Sequence, residues 1–209
     1  MKLVIATPSP FARKVRIALH EKQMPFEETV DVPWNPATIA PSLNPLGKIP
    51  ILTLDDGRTL YDSRVIVEYL DTLGRPPPLI PDDPARRIEA KQIEALADGI
   101  CDAVVLIAIE GRRKQELQST DWVARQRAKV EAGVAALDQL VPGDHWLVGD
   151  TFGLADIAAG CALGYLDLRL PDFRWRECYR GLVAFDARLA ARPSFAKTRP
   201  TAQAIVEIG

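Results

Sequence analysis

Along the first 73 residues the spacing of apolar positions changes several times. Lys2–Ala6 is a nearly unbroken apolar run, the pattern of a strand covered on both faces. Phe11, Val15, Ala18 and Leu19 then fall at helical spacing. Phe26–Val32 predicts a second, weaker strand. Ile49–Leu54 and Arg58–Tyr61 flank Asp55-Asp56-Gly57, a pair of strands around hairpin chemistry. Ser63–Leu73 predicts a short helix with Ile66, Val67 and Leu70 on one side. Between the second and third strands, Pro33–Pro45 is rich in Pro and Asn and reads as irregular. Gly74–Pro84 contains five prolines. Proline fixes φ and lacks an amide donor, so the segment predicts a stiff linker. Beyond it the period is helical throughout. Ile93, Leu96, Ala97, Ile100, Val104, Ile107 and Ala108 form one stripe, on a helix spanning Ala85–Gly111. Val123, Val130, Val134, Leu137 and Val141 form another, on a helix opening near Ser119 or Thr120. Gly153–Leu168 is apolar almost all round and predicts the buried centre of a bundle. Gly181–Ala191 predicts a last helix. The expectation is an α/β domain over 1–74, a linker over 75–84 and an all-helical domain over 85–209.

Composition narrows the possibilities. The chain has 209 residues, of which 47% are hydrophobic and 26% charged, an ordinary globular balance able to build a real core. The net charge of −2 offers no basic field for nucleic acid or anionic lipid. No apolar run approaches the roughly 18 residues of a membrane span, and the N-terminal run lacks the make-up of a signal peptide. A cytoplasmic protein is expected. Three cysteines without a CxxC, and two histidines 125 positions apart (His20 and His145), argue against a disulfide framework, a dithiol pair or a metal site.

Three segments can carry chemistry. Ser9-Pro10-Phe11 joins the first strand to the first helix. Pro10 suits the first helical position and makes Ser9 the N-cap. A hydroxyl at a helix N-terminus is a structural cap, or a donor to a bound anion; both readings stand. In Gly47-Lys48-Ile49-Pro50 a proline opens a strand. A cis Ile49–Pro50 bond would explain the placement and would free the Ile49 backbone to pair with an extended peptide. The alternative is a trans proline on an edge strand. Asp62-Ser63 opens the third helix. It is an ordinary acidic cap, or a pair that takes the ammonium and carboxylate of an α-amino acid end.

The order and spacing of these motifs resemble the glutathione S-transferase superfamily, in particular bacterial members with serine before the first helix. In the second half Leu147–Ile157 and Arg192-Pro193-Ser194-Phe195 extend the resemblance over nearly the whole chain. It implies a thioredoxin-like β-α-β-β-β-α domain followed by a helical bundle, with glutathione as co-substrate and no metal. Ile49 would pair its backbone with the cysteinyl unit, and Pro50 would be cis. Asp62 and Ser63 would hold the γ-glutamyl end. Lys48 would approach the glycyl carboxylate or face solvent. Ser9 would be the catalytic hydroxyl. Phe11, with side chains of the Ile100–Gly111 stretch, would wall a second subsite for a small electrophile. One position departs from the family pattern: Gly153 stands where a Ser or Thr cap precedes Asp156, so weaker local capping is expected. The resemblance also implies a homodimer and a role in detoxification chemistry.

The implied mechanism is thiol activation. A free thiol, with a pKa of about 8.5, is only about 3% thiolate at pH 7. Lowering that pKa by about two units requires about 2.7 kcal/mol. A charge-assisted hydrogen bond of roughly 1.5–3 kcal/mol and a helix end of roughly 0.3–1 kcal/mol together suffice. Conjugation, isomerisation and reductive cleavage all follow from such a thiolate. Serine at position 9 cannot form a mixed disulfide, which argues against glutaredoxin-like chemistry. The alternative is a non-catalytic binding protein with this fold, a ligand carrier or a partner of transcription or translation machinery.

Overall fold

In the computed structural model, residues 1–141 and 143–205 are described. The chain divides into two compact units, Met1–Ile80 with the tail from Pro193, and Pro81–Arg192.

The first unit is built on a four-stranded mixed sheet of order β2-β1-β3-β4. β1 (Lys2–Ile5) runs parallel to β2 (Glu27–Val30) and antiparallel to β3 (Ile51–Thr53), which pairs antiparallel with β4 (Thr59–Tyr61). Leu3, Val4 and Ile5 are buried, as expected of an interior strand with both faces covered. β2 is an exposed edge and shorter than the 26–32 run predicts. The ladder goes one bond further, from the Asp31 N–H to the Ile5 carbonyl at 2.7 Å. The Asp31 carboxylate then turns the chain by accepting from the Val32 N–H and the Thr38 hydroxyl. α1 (Pro10–Glu21) buries Ala12, Val15, Ala18 and Leu19 and packs against α3 (Ser63–Thr72). The stretch expected to be irregular holds one helical turn, α2 (Ala40–Leu43). Its Ala40 and Leu43 pack with Val4, Ile49 and Ile51. β3 begins at Ile51 rather than Ile49, because Pro50 has no N–H to give the ladder; the Ile49–Pro50 bond is cis.

The unit boundaries differ from the expected 74 and 209. Lys22, 2% exposed at the end of α1, lies 2.7 Å from the Asp71 carboxylate and donates to the carbonyls of Arg75 and Pro77. The buried ammonium group is thus held by one ion pair and two hydrogen bonds. Asp71 also accepts from the N–H groups of Leu79 and Ile80, whose side chains are buried. The first part of the proline-rich segment is therefore tied to the first unit. So is the end of the chain, through α9 (Pro193–Lys197). Phe195 is buried, the Arg13 guanidinium lies 5.1 Å from its ring centre, and the Ser194 hydroxyl bonds Glu21 of α1.

The second unit is helical. α4 (Pro84–Glu110) packs against α5 (Thr120–Leu140) and α6 (Leu154–Arg169). The two short helices α7 (Trp175–Cys178) and α8 (Arg180–Ala190) follow. Ile93, Ala97, Ile100 and Val104 of the α4 stripe are buried against this core. α5 approaches α4 so closely at Gly133 that an added Cβ would lie 2.6 Å from Ile100 Cγ1. Trp175 is buried in this core, whereas Trp122 on α5 is exposed. α6 is buried nearly throughout, as its composition predicts. Gly153 offers no side chain to cap it. Instead Asp156 reaches back, accepting from the Gly153 N–H at 2.9 Å and from the Leu147 N–H at 2.9 Å. The loop before α6 is also held by Arg188, which donates to the carbonyls of Gly143 and His145, and by the Arg192 guanidinium 3.7 Å from the Phe152 ring centre. Among the described residues, no helix is long and apolar enough to cross a membrane, and no cluster of three or more metal-ligating side chains forms.

Candidate active site

Strand register places the candidate residues. Val4 pairs with Ile51, and Ile51 pairs with Tyr61. Because β1 and β3 run in opposite directions, the C-terminal end of β1 and the N-terminal end of β3 share one edge of the sheet. Because β3 and β4 are antiparallel, the C-terminal end of β4 reaches the same edge. Ser9 follows β1 by four residues, Ile49-Pro50 immediately precedes β3, and Asp62-Ser63 immediately follows β4. Three segments far apart in sequence therefore converge outside the carboxyl end of the central strand, where ligands of open α/β sheets bind.

Ser9 has extended backbone angles, and its Oγ accepts from the Ala12 N–H at 3.2 Å. The cap reading is thus realised, and it does not exclude the other. A hydroxyl has two acceptor lone pairs and one donor. The capping bond uses a lone pair, and among the described residues the Ser9 proton has no acceptor. Phe11, half-buried, stands on the first turn beside it. Residues 100–111, expected as its partners, belong to the other unit.

Pro50 is buried and Ile49 half-buried. Ile49 lies outside the ladder, and its N–H and C=O bond no described residue. The loop ahead of it is fixed by Asn44, 2% exposed. Asn44 Nδ2 donates to the Lys48 carbonyl at 2.8 Å, and its Oδ1 accepts from the Leu46 N–H at 3.0 Å. Gly47 completes the turn at φ +60°, a conformation that favours glycine. The Lys48 side chain is exposed and bonds no described residue. No role for Asn44 was legible from its position alone, although Asn before Pro is a turn signal that marks it.

Asp62 sits at φ +66°, a region where a non-glycine residue is held at a cost of about 1–3 kcal/mol. Its Oδ1 caps α3 by accepting from the Arg64 N–H at 2.9 Å, and the carboxylate is exposed. Ser63 is 4% exposed, and its hydroxyl bonds no described residue. One end of the sheet thus offers two hydroxyl groups, an exposed carboxylate, an exposed ammonium group, and a backbone amide and carbonyl without partners among the described residues. That set matches a ligand with extended backbone, an amino-acid end and a second carboxylate.

Two family models match the chain: glutathione S-transferase N-terminal domain over residues 8–73 and glutathione S-transferase C-terminal domain over residues 120–185. The uncharacterized GST-like protein YibF of Escherichia coli K12 is 40% identical, covering 96% of this chain and 98% of that protein. The chain belongs to the glutathione S-transferase family of enzymes. Solved family members superpose closely. A glutathione S-transferase of Methylobacterium radiotolerans in complex with glutathione sulfonate is 48% identical with a TM-score of 0.96. It covers 100% of this chain and 98% of that one. One from Methylobacillus flagellatus with glutathione bound is 44% identical with a TM-score of 0.92, covering 96% of this chain and 99% of that one. The thioredoxin-like first domain and helical second domain are those of the family.

Proposed function

We propose that this glutathione transferase binds glutathione at the shared sheet edge and activates its thiol as a thiolate at Ser9, for attack on a small electrophile. The observation that carries the reading is the Ser9 hydroxyl. Its oxygen is engaged by the Ala12 N–H while its proton has no acceptor among the described residues. A sulfur placed there would receive the proton's hydrogen bond and the positive end of α1. Ile49 would pair its N–H and C=O, which bond no described residue, with the cysteinyl unit, as an extended peptide pairs with a strand. Asp62 would take the ammonium and Ser63 the carboxylate of the γ-glutamyl end. Lys48 would attract the glycyl carboxylate. Phe11 would border the electrophile. The thiolate forms a bond to the electrophilic carbon, and a leaving group departs with the displaced electron pair, or the adduct is protonated.

Retention on immobilised glutathione and the ultraviolet absorbance of the bound thiolate test this. Wild type is expected to be retained and to show thiolate at neutral pH. Ser9→Ala is expected to be retained and to lose most of that absorbance. Equal absorbance would reduce Ser9 to a cap, and no retention at all would remove glutathione from the account.

The Ile49 segment has its own test. Asn44→Ala leaves the Leu46 N–H without its acceptor and the Lys48 carbonyl without its donor, at a stability cost of about 1–3 kcal/mol. With Ile49 no longer positioned, KM for glutathione is expected to rise about fivefold with kcat little changed, the mark of lost binding that is uniform between ground and transition states. A fall in kcat at constant KM would argue against this role.

The family also supports a symmetric homodimer. α4 carries Ile88 at 66% exposure, apolar surface beyond what its own unit uses. Light scattering at micromolar concentration is expected to give the mass of two chains; a single-chain mass would overturn this.

A further inference from the structure

After α9 the chain returns to the sheet edge that carries Ser9. Thr201 meets Thr7 in a two-way bond. The Thr201 N–H donates to the Thr7 carbonyl at 3.4 Å, and the Thr7 hydroxyl donates to the Thr201 carbonyl at 3.1 Å. Two residues on, the Gln203 amide spans two loops. Its Oε1 accepts from the Thr7 N–H at 3.1 Å, and its Nε2 donates to the Asp31 carbonyl at 3.4 Å. Thr7 begins the loop that ends at Ser9, and Asp31 begins the loop after β2. β1 and β2 are parallel, and their last ladder bond joins Asp31 to Ile5. Beyond it the strands diverge, and the Gln203 side chain supplies the next crosslink in place of a backbone pair.

We infer that Gln203 is a positioning residue for the reaction, and that Thr201–Gln203 forms a strap setting the place of the Ser9 hydroxyl through Thr7. The inference rests on the reading of Ser9 as the thiol activator. Ser9 is two residues from the held Thr7 amide, with the Ser9 N–H tied to the Ala6 carbonyl at 3.0 Å. The loop is short, so a displacement of Thr7 is passed to Ser9. The strap is anchored on the same helix that Ser9 caps, because α9 packs on α1 through Phe195 and Ser194. Loop and tail therefore share one support, and the amide fixes the remaining freedom between them. A hydrogen bond to a thiolate is sensitive to such placement, since small misplacements weaken it sharply. Gln203 is half-buried near the end of the chain, so its loss acts on the loop rather than on the core.

The test compares wild type with Gln203→Met, which keeps the shape without either bond, and with Gln203→Glu, which keeps the acceptor for Thr7 and loses the donor to Asp31. Two readouts are used: hydrogen exchange at the Thr7 amide, and the pH profile of kcat/KM with glutathione and a reactive aryl halide. In Gln203→Met the Thr7 amide is expected to exchange about tenfold faster or more, reporting local opening. The acid limb is expected to move up by about 0.5–1 pH unit as the bound thiol becomes less acidic. Gln203→Glu is expected to fall between the two, with all three melting temperatures alike. Unchanged exchange in Gln203→Met would show that the strap holds nothing. Faster exchange with a wild-type pH profile would show that it holds the loop without acting on the chemistry. Either result overturns the inference. Ser9→Gly is run alongside. If its pH profile equals wild type, the Ser9 reading itself fails and takes this inference with it. If it shifts while Gln203→Met does not, only the strap is lost.

Discussion

Replacing Ser9 by glycine is expected to lower kcat/KM at neutral pH by about 10- to 100-fold while leaving the melting temperature nearly unchanged. Glycine is a tolerable N-cap, a few tenths of a kcal/mol worse than serine, whereas alanine costs about 1 kcal/mol. The pair of variants therefore separates the two duties of one hydroxyl. Accepting from the Ala12 N–H is a contribution to α1, and donating to a thiolate is a contribution to the reaction. Without the donor, the bound thiol returns toward its free pKa of about 8.5. The loss is consequently largest at low pH, shrinks as pH rises toward that value and vanishes above it. A full pH profile of kcat/KM for wild type, Ser9→Gly and Ser9→Ala checks this. If Ser9→Gly matches wild type at every pH, the hydroxyl serves only the helix.

The second large effect lies away from the site. Asp156→Ala is expected to destabilise the protein by about 2–5 kcal/mol, from two backbone donors left without an acceptor. Its carboxylate is 1% exposed and is the acceptor for the N–H groups of Leu147 and Gly153. Alanine would leave both donors orphaned at the mouth of the most buried helix. The carboxylate itself is held at a cost. Burial pushes its pKa up to about 6, against the backbone N–H bonds that lower it. The sign follows. The folded state binds this proton more readily than the unfolded chain, whose value is near 3.8. Between roughly pH 4 and 6 this group's contribution to stability therefore declines as pH rises, by up to about 3 kcal/mol. Urea denaturation of wild type and Asp156→Asn at pH 4.5 and 7 isolates the effect, because the other carboxylates cancel in the difference. The advantage of wild type over Asp156→Asn is expected to be larger at the lower pH. A constant difference would contradict the raised pKa.

Much of this was legible before any geometry. The buried run at Lys2–Ala6 and the Pro10 that makes Ser9 the cap each act over a few residues, and local chemistry placed them; the proline-rich segment after residue 74 was legible as a break, but its docking through Lys22 and Asp71 was not. Ile49–Pro50 was legible for a different reason: only an X–Pro bond admits the cis form readily, so one dipeptide pointed to an unusual backbone. Glu27–Val30 came out shorter and more exposed than its pattern suggests. An edge strand is bounded by where its single neighbour ends, which residues 26–32 do not record. Asn44 and Gln203 escaped for a related reason. Each acts through an amide side chain that bridges backbone groups, and nothing in their neighbourhoods marks which groups those are.

The sequence by itself marked the longer strands and helices, and which hydroxyl, carboxylate and proline could carry chemistry, because propensity, capping and periodicity are short-range; the four- and five-residue helices α2, α7 and α9 span too few positions to show a period. Tertiary structure alone decided that β1 lies between β2 and β3. That order brings residues 9, 49 and 62 to one edge and lets residue 203 reach residue 7. The physical reason is that strand order and tail docking follow from burying apolar faces across distant segments. That energy belongs to the folded whole, and no local window contains it.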